Sequence, residues 1–329
     1  MIELLRRRLQ HYSLTNAAQE EQAIKEILQE VALYALWRAG FFEKAAFQGG
    51  TALRILHGLP HFSEDLDFIL LAPDPAFHWS YYFDSLTQTM AEFGVHCELS
   101  DRSNMNKAVR QAMIKNDSIG RQLDLSFFDS DKQRKLRVKL EIDTTPPVGT
   151  GTSWHYFDFP LDFEICAQDL PSNYALKLHA LLCRPYLKGR DWFDFTWYCK
   201  QKIKPNLPHL ANALQQFGPW SGENLAINAS WLANALTEKI KSIDWPKAAQ
   251  DVAPFLSASE QPSLSLWGER FFSDKISKLV HRVHSLEIPY RMVKSGFYVG
   301  NGPDLAFYAM PSHQEMRKNH AKWWRLANS

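Results

Sequence analysis

The chain has 329 residues, 45% hydrophobic and 22% charged, with 15 Gly and 17 Pro. That profile is globular and excludes disordered, collagenous and coiled-coil chains. Its 37 Lys and Arg against 36 Asp and Glu leave a net charge of +1, which argues against a strongly basic nucleic-acid-coating protein but not against a local basic groove.

No stretch approaches the roughly 18–20 apolar residues of a membrane span. The opening MIELLRRRLQ places acid and base where an export signal needs apolar residues, so a cytoplasmic chain is expected. Cys97, Cys166, Cys183 and Cys199 are widely spaced and form no CxxC pair, which fits free thiols and argues against a zinc site.

Residues 1–46 read as helical: Ile24, Ile27, Leu28, Val31, Leu33 and Leu36 recur at helical spacing, and Gly40 is the stop. Gly49-Gly50 forms a tight turn, and Thr51 to His57 a short helix closed by Gly58. A strand runs from about Leu66 to Leu71, ended by Pro73; residues 78–93 are helical up to Gly94, and VHCELS (95–100) is a strand. The polar stretch 100–120 yields no assignment. RQLDLSFF (121–128) and LRVKLEIDTTPP (136–147) alternate as half-buried strands do, with a hairpin turn at Asp129-Ser130-Asp131.

From about residue 170 the pattern turns helical. Helices are expected over Ser172–Cys183 and Asp191–Lys200, broken by Pro185 and Gly189, then over 207–217, 223–242 and 246–256. The Pro- and Ser-rich segment 257–265 is the natural internal boundary. The tail 286–329 is rich in Tyr, Trp, Lys and Arg, and its order is not assigned. The expected architecture is α+β: a small mixed or antiparallel sheet flanked by helices (1–168), a helical domain (169–256), and a C-terminal extension (257–329).

The chemistry concentrates in Ser63-Glu64-Asp65-Leu66-Asp67-Phe68. On a strand, residues i and i+2 share a face, so Asp65 and Asp67 project together while Leu66 and Phe68 face the core. Two such carboxylates can ligate one Mg²⁺ or bridge two, the apparatus of in-line phosphoryl displacement. Gly49-Gly50-Thr51 opens a helix fourteen residues earlier, where backbone N–H groups and the helix N-terminus favour an anion and the Thr hydroxyl can donate to a phosphate. A third acid lies on a later strand; Glu141 and Asp143 share a face there and compete for that role. Lys177 and Arg184, seven apart, share a helical face suited to an anionic ligand. Asp191 and Asp194 are i, i+3 on the next helix: Asp191 suits an N-cap or first-turn position, and the pair could anchor Lys177 and Arg184 or place an acid at the attacking group.

Taken in order, these features follow the layout of a nucleotidyltransferase palm. GGTALRILHGLPHFSEDLDF, KLEID and KLHALLCRPYLKGRDWFDF, over about residues 45–200, resemble the AbiEii/AbiGii-type nucleotidyltransferase toxins of the DNA polymerase β-like superfamily, which include the MenT-like tRNA-modifying toxins. The resemblance implies NMP transfer from an NTP with Mg²⁺, two ions being expected, to an acceptor such as the tRNA 3′ end. It also implies a toxin–antitoxin or phage-defence setting with a separately encoded antitoxin. It makes Gly49, Gly50, Thr51 and Ser63 phosphate contacts, Asp65 and Asp67 metal ligands, Glu141 the third acid, Lys177 a triphosphate contact and Asp191 an active-site residue. One departure stands out: His61 occupies a position often held by Arg, and a neutral His there would weaken a charge-based phosphate contact. MRKNHAKWWRLANS (316–329) could stack on and neutralise a strand end. The rival expectations are a small-molecule (antibiotic) nucleotidyltransferase and a catalytically idle nucleotide- or RNA-binding module.

Overall fold

The computed structural model describes residues 2–116, 119, 123, 125, 127, 136–284, 290–293, 296–299 and 306–309. The chain opens with helices α1 (Ile2–Gln10) and α2 (Ala17–Arg38), followed by strand β1 (Ala45–Gln48). Asn16 caps α2 by accepting from the Gln19 N–H, and the helix ends just before Gly40, which takes the left-handed conformation (φ +70°) that a side chain resists. Next come α3 (Gly49–His57), β2 (Asp65–Leu70), α4 (Ser80–Glu92), β3 (Glu98–Asp101), β4 (Val109–Asn116), β5 (Leu136–Asp143), β6 (Thr152–Phe157) and β7 (Phe163–Gln168). The strands form one mixed sheet in the order β3-β4-β5-β2-β1-β7-β6. The β2–β5 and β1–β7 pairs are parallel and the others antiparallel.

The expected strand at 66–71 is β2, shifted by one residue. β4 fills the unassigned stretch, and β6 and β7 extend the sheet where the sequence pattern assigned nothing. Most of 121–128 and the hairpin turn at 129–131 lie outside the described residues.

Helices α5 (Leu170–Cys183), α6 (Gly189–Gln201), α7 (Leu207–Gln216), α8 (Ala229–Lys241), α9 (Trp245–Val252) and α10 (Glu269–His284) follow. Strands β8 (Tyr290–Val293), β9 (Gly296–Val299) and β10 (Ala306–Ala309) form a separate antiparallel sheet. The tail 316–329 lies outside the described residues.

Two apolar cores result. The first joins α1, α2 and α4 to the sheet through Leu5, Ile27, Phe41, Phe47, Phe68 and Trp79. The second is helical, with Tyr174, Trp192, Phe195, Trp245 and Phe272 at its centre, and Leu53 and Leu59 lock α3 and its exit loop onto it. Phe272 of α10 is fully buried and stacks on Trp245 at 4.1 Å. The helical unit therefore continues across the 257–265 boundary, because α10 buries Phe272, Ile276, Leu279 and Val283 in the same core as α5 and α6. The functional consequence lies between the cores: one face of β2 and β5 carries acids toward the N-terminus of α3 and the helices α5 and α6.

Candidate active site

Strand register brings the acids together. On β2, Leu66 and Phe68 are buried while Asp65 and Asp67 lie on the other, partly open face. The parallel pairing sets Asp67 beside Glu141, Asp65 beside Lys139 and Ile69 beside Asp143. Of the two competing acids on β5, Glu141 is therefore the one level with Asp67. Asp143 stands further along and accepts from the backbone N–H of Thr145 at 2.9 Å, closing a turn.

The three acids do not form a ready-made cage. Lys139 Nζ lies 3.2 Å from both Asp65 Oδ2 and Glu141 Oε1, bridging them. Gln111 on β4 donates to Glu141 Oε1 at 2.6 Å. Among the described residues, no three His, Cys, Asp or Glu side chains are placed to hold one metal ion. Like charges on neighbouring strands repel, and here the Lys139 ammonium occupies the gap between Asp65 and Glu141. The frustration shows at Asp67, whose carboxyl is pushed up to about 6 by burial and by the Glu141 and Asp65 charges, against the pull of Lys177 and Lys188. The donor set itself fits a hard divalent cation, since the oxygens are carboxylate and the bridging ammonium already marks where positive charge is favoured.

The glycine pair is built into the same place. Gly49 has φ +78°, and a Cβ there would lie 2.6 Å from Asp67 Oδ2, so only glycine lets this backbone sit against the acid. Asn173 of α5 clamps that turn from both sides: Gly49 N–H donates to its Oδ1 at 3.3 Å, and its Nδ2 donates to the Gly49 carbonyl at 3.4 Å. Gly50 opens onto a polar recess. A Cβ there would stand 3.4 Å from Ser63 Oγ, 3.7 Å from Lys177 Nζ and 3.8 Å from Asp194 Oδ2. Gln29 of α2 holds the Ser63 carbonyl at 3.2 Å. Thr51 behaves differently from expectation: it is fully buried, and its hydroxyl donates to the Asp65 carbonyl, tying the α3 N-terminus to the metal-candidate strand rather than facing a ligand.

Lys177 reaches this recess from α5. Its Nζ lies 2.6 Å from Asp194 Oδ2 and 3.4 Å from Asp191 Oδ1. Burial alone would pull its ammonium down, but Asp194 and Asp191 outweigh that and hold it above the ordinary lysine range. Arg184 Nη1 pairs with Asp191 Oδ2. Asp191 sits in the first turn of α6, whose N-cap is Lys188, so it is a first-turn acid and not the cap. Asp191 and Asp194 are both buried, and of the two roles considered for them the structure favours anchoring the cations.

His61 does not face a ligand either. Its side chain is 1% exposed, and Nε2 lies 2.7 Å from Asp194 Oδ1. Arg190 turns away, pairing with Glu64 at 3.0 Å and covering the Phe255 ring at 4.0 Å.

Beside Asp191 opens a cleft of about 290 Å³ whose lining includes Arg184, Lys188, Lys239 and Lys247. Lys188 is held below the ordinary lysine range by burial, with Asp191 opposing. Asn173, Gln111, Lys139 and Lys188 are site residues that sequence reasoning missed. Lys139 and Lys188 stood inside the motifs KLEID and KGRD but carried no signal of their own.

No helix among the described residues is long and apolar enough to cross a membrane. Three solved structures are similar over most of the chain. A Helicobacter pylori protein named as a candidate nucleotidyltransferase shares 16% identity, with a TM-score of 0.48 and coverage of 83% of this chain and 99% of that one. JHP933 from Helicobacter pylori shares 17%, with a TM-score of 0.45 and coverage of 84% and 100%. The nucleotidyltransferase toxin MenT4 from Mycobacterium tuberculosis shares 14%, with a TM-score of 0.45 and coverage of 85% and 99%. A search of curated proteins finds no match. The family described as nucleotidyl transferase AbiEii toxin, type IV toxin–antitoxin system, matches residues 31–271, further on both sides than the 45–200 that the motifs span. With well over half its length matched, the chain belongs to the AbiEii family of nucleotidyltransferase toxins.

Proposed function

We propose that this nucleotidyltransferase moves NMP from an NTP to an RNA 3′ hydroxyl, the tRNA end being the acceptor the motifs imply, with Mg²⁺ held by Asp65, Asp67 and Glu141. The observation that carries this reading is the juxtaposition of the Gly49 turn with Asp67 and of Gly50 with Ser63 and Lys177. Acids and an anion recess then lie on either side of one α3 N-terminus. A bound divalent cation, two being expected in this fold family, would neutralise phosphate charge and acidify the acceptor hydroxyl.

The chain's own groups supply the rest. Gly50 N–H, Ser63 Oγ and Lys177 Nζ bind and orient the β- and γ-phosphates, leaving the α-phosphorus at the edge of the acids. The acceptor oxygen forms a bond to that phosphorus as the bond to the bridging oxygen breaks. Pyrophosphate leaves against the Lys177 ammonium, and the hydroxyl proton passes to a carboxylate of the acid face and then to water. Catalysis of this kind is positioning and charge stabilisation. Asp191 and Arg184 keep Lys177 aimed. The cleft sets Arg184, Lys188, Lys239 and Lys247 against Asp191 and Asp244, and that basic excess suits the phosphates of an RNA end better than a cationic antibiotic.

Asp65→Ala and Asp67→Ala should abolish transfer of label from α-³²P-NTP while leaving the melting curve intact; undiminished transfer overturns the acid assignment. Incubation with total tRNA against aminoglycosides, each with labelled NTP, separates the RNA reading from a small-molecule one. As a type IV toxin the protein has an antitoxin partner. Co-expression with a candidate antitoxin, read by the same label transfer, tests whether that partner acts on the enzyme or elsewhere.

A further inference from the structure

His61 lies in the loop between α3 and β2, sealed from solvent and edge-on to the Phe193 ring at 5.5 Å. Both of its ring nitrogens meet oxygen. Nδ1 is 2.8 Å from the Phe62 carbonyl oxygen, and Nε2 is 2.7 Å from Asp194 Oδ1. A carbonyl oxygen only accepts, so Nδ1 carries hydrogen. The carboxylate opposite is ionised on geometry that does not involve the imidazole: Lys177 Nζ lies 2.6 Å from Asp194 Oδ2. A neutral imidazole has one N–H and would set a lone pair against that carboxylate at hydrogen-bond distance. The contacts are satisfied only when both nitrogens bear hydrogen.

We propose that His61 is a buried imidazolium, a positioning residue that fixes Asp194 so that Lys177 presents a net positive charge to the polyphosphate of the nucleotide substrate. The charge count shows why it matters. The buried network holds three cations (His61, Lys177, Arg184) and two anions (Asp191, Asp194), linked in one chain of ion pairs. With His61 charged, the network carries one excess positive charge, and Lys177 is its cation at the Gly50 recess, which Asp194 Oδ2 also borders. With His61 neutral, the excess vanishes and Asp194 draws the Lys177 ammonium back. The neighbouring Arg190–Glu64 pair is self-balanced, and Lys188 and Asp67, which also act on Lys177 by charge, are of opposite sign, so neither pair alters the count. A neutral histidine would have weakened phosphate binding; the geometry makes this one a cation acting through Asp194.

The inference about substrate rests on the nucleotide-transfer reading, whereas the charge of His61 does not, so the two can fail separately. ¹⁵N-histidine NMR of the full chain at the pH of the transfer assay should show one imidazolium pattern that disappears in His61→Arg. A neutral pattern for the resonance lost in that variant overturns the proposal, whatever the transfer assay reports. In kinetics, His61→Arg should retain the wild-type KM for NTP. His61→Gln should raise it by about tenfold or more, the scale of one lost charge-assisted hydrogen bond. Equal KM in His61→Gln and the wild type overturns the charge argument. If His61→Gln does not fold, a raised KM in the folded His61→Arg protein overturns it equally, since a permanent cation should suffice.

Discussion

Replacing Gly49 by alanine tests the contact on which the site is built. The backbone there has φ +78°, and the new methyl carbon would begin 2.6 Å from Asp67 Oδ2, 3.1 Å from its Cβ and 3.2 Å from its Cγ. A left-handed alanine costs about 1–2 kcal/mol. Restoring ordinary contact near 3.4 Å requires the Asp67 carboxylate to retreat by about 0.8 Å. Misplacing a reacting group by about 1 Å can cost on the order of 10²-fold in rate. Gly49→Ala should therefore lower the melting temperature by a few degrees, at roughly 2–4 °C per kcal/mol for a chain of this size. It should also cut label transfer from α-³²P-NTP by about a hundredfold at saturating NTP. Gly50→Ala is the contrast. Its nearest neighbours would be 3.4–3.8 Å away and its backbone is helical, so the fold should be unchanged or slightly firmer. The methyl would occupy the phosphate recess, and the effect should fall on KM for NTP. Wild-type transfer by a folded Gly49→Ala protein, or equal destabilisation by both substitutions, refutes this account of the glycine pair.

Lys139→Met removes the ammonium that bridges Asp65 and Glu141, so the rise in melting temperature with added Mg²⁺ should begin at lower concentration; an unchanged titration shows that Lys139 does not compete with the cation. His57 is held down to about 4 by burial and the nearby His155, against an ordinary 6.5. The unfolded chain therefore binds the extra proton between those values, and stability, complete above pH 6.5, falls as pH drops through the window. His57→Gln should flatten that part of a urea-unfolding series, and an identical slope would exclude His57 as its source. Phe272→Ala should cost about 3–5 kcal/mol, read by denaturant midpoint, if α10 belongs to the helical core; a change below about 1 kcal/mol would restore the boundary at 257–265.

The acids on β2 were legible because Leu66 and Phe68 mark the inner face and leave Asp65 and Asp67 on the outer one. The pair Gly49-Gly50 and Lys177 were legible because a glycine doublet before a helix and a lysine on an apolar helix are both unusual chemistry. Other parts were hidden for physical reasons. β4 alternates in burial, but two of its inward residues are Arg110 and Asn116, which donate to carbonyls of Pro75, Asn104, Met105 and His96, so the strand period is masked. β1 is four residues long, too short for any period. β6 turns Trp154 and Tyr156 outward, 54% and 90% exposed, reversing the usual sign of the pattern. Thr51 was assigned outward from its place after the glycines, yet its hydroxyl is used inside. The clamp of Asn173 on Gly49 and the bridge of Lys139 are contacts between distant or differently charged neighbours, which only the register of β2 against β5 and the docking of α5 create.

The division of the site between two cores has a consequence for biosynthesis. The acids of β2 leave the ribosome early, whereas Asp194, which completes the Lys177 and His61 network, follows about 130 residues later. At roughly 5–20 residues per second that is an interval of about 6–25 s in which the nascent chain holds only half of its machinery. A truncated or stalled product that ends before Asp194 therefore carries the acids of β2 without the carboxylate that anchors Lys177 and His61.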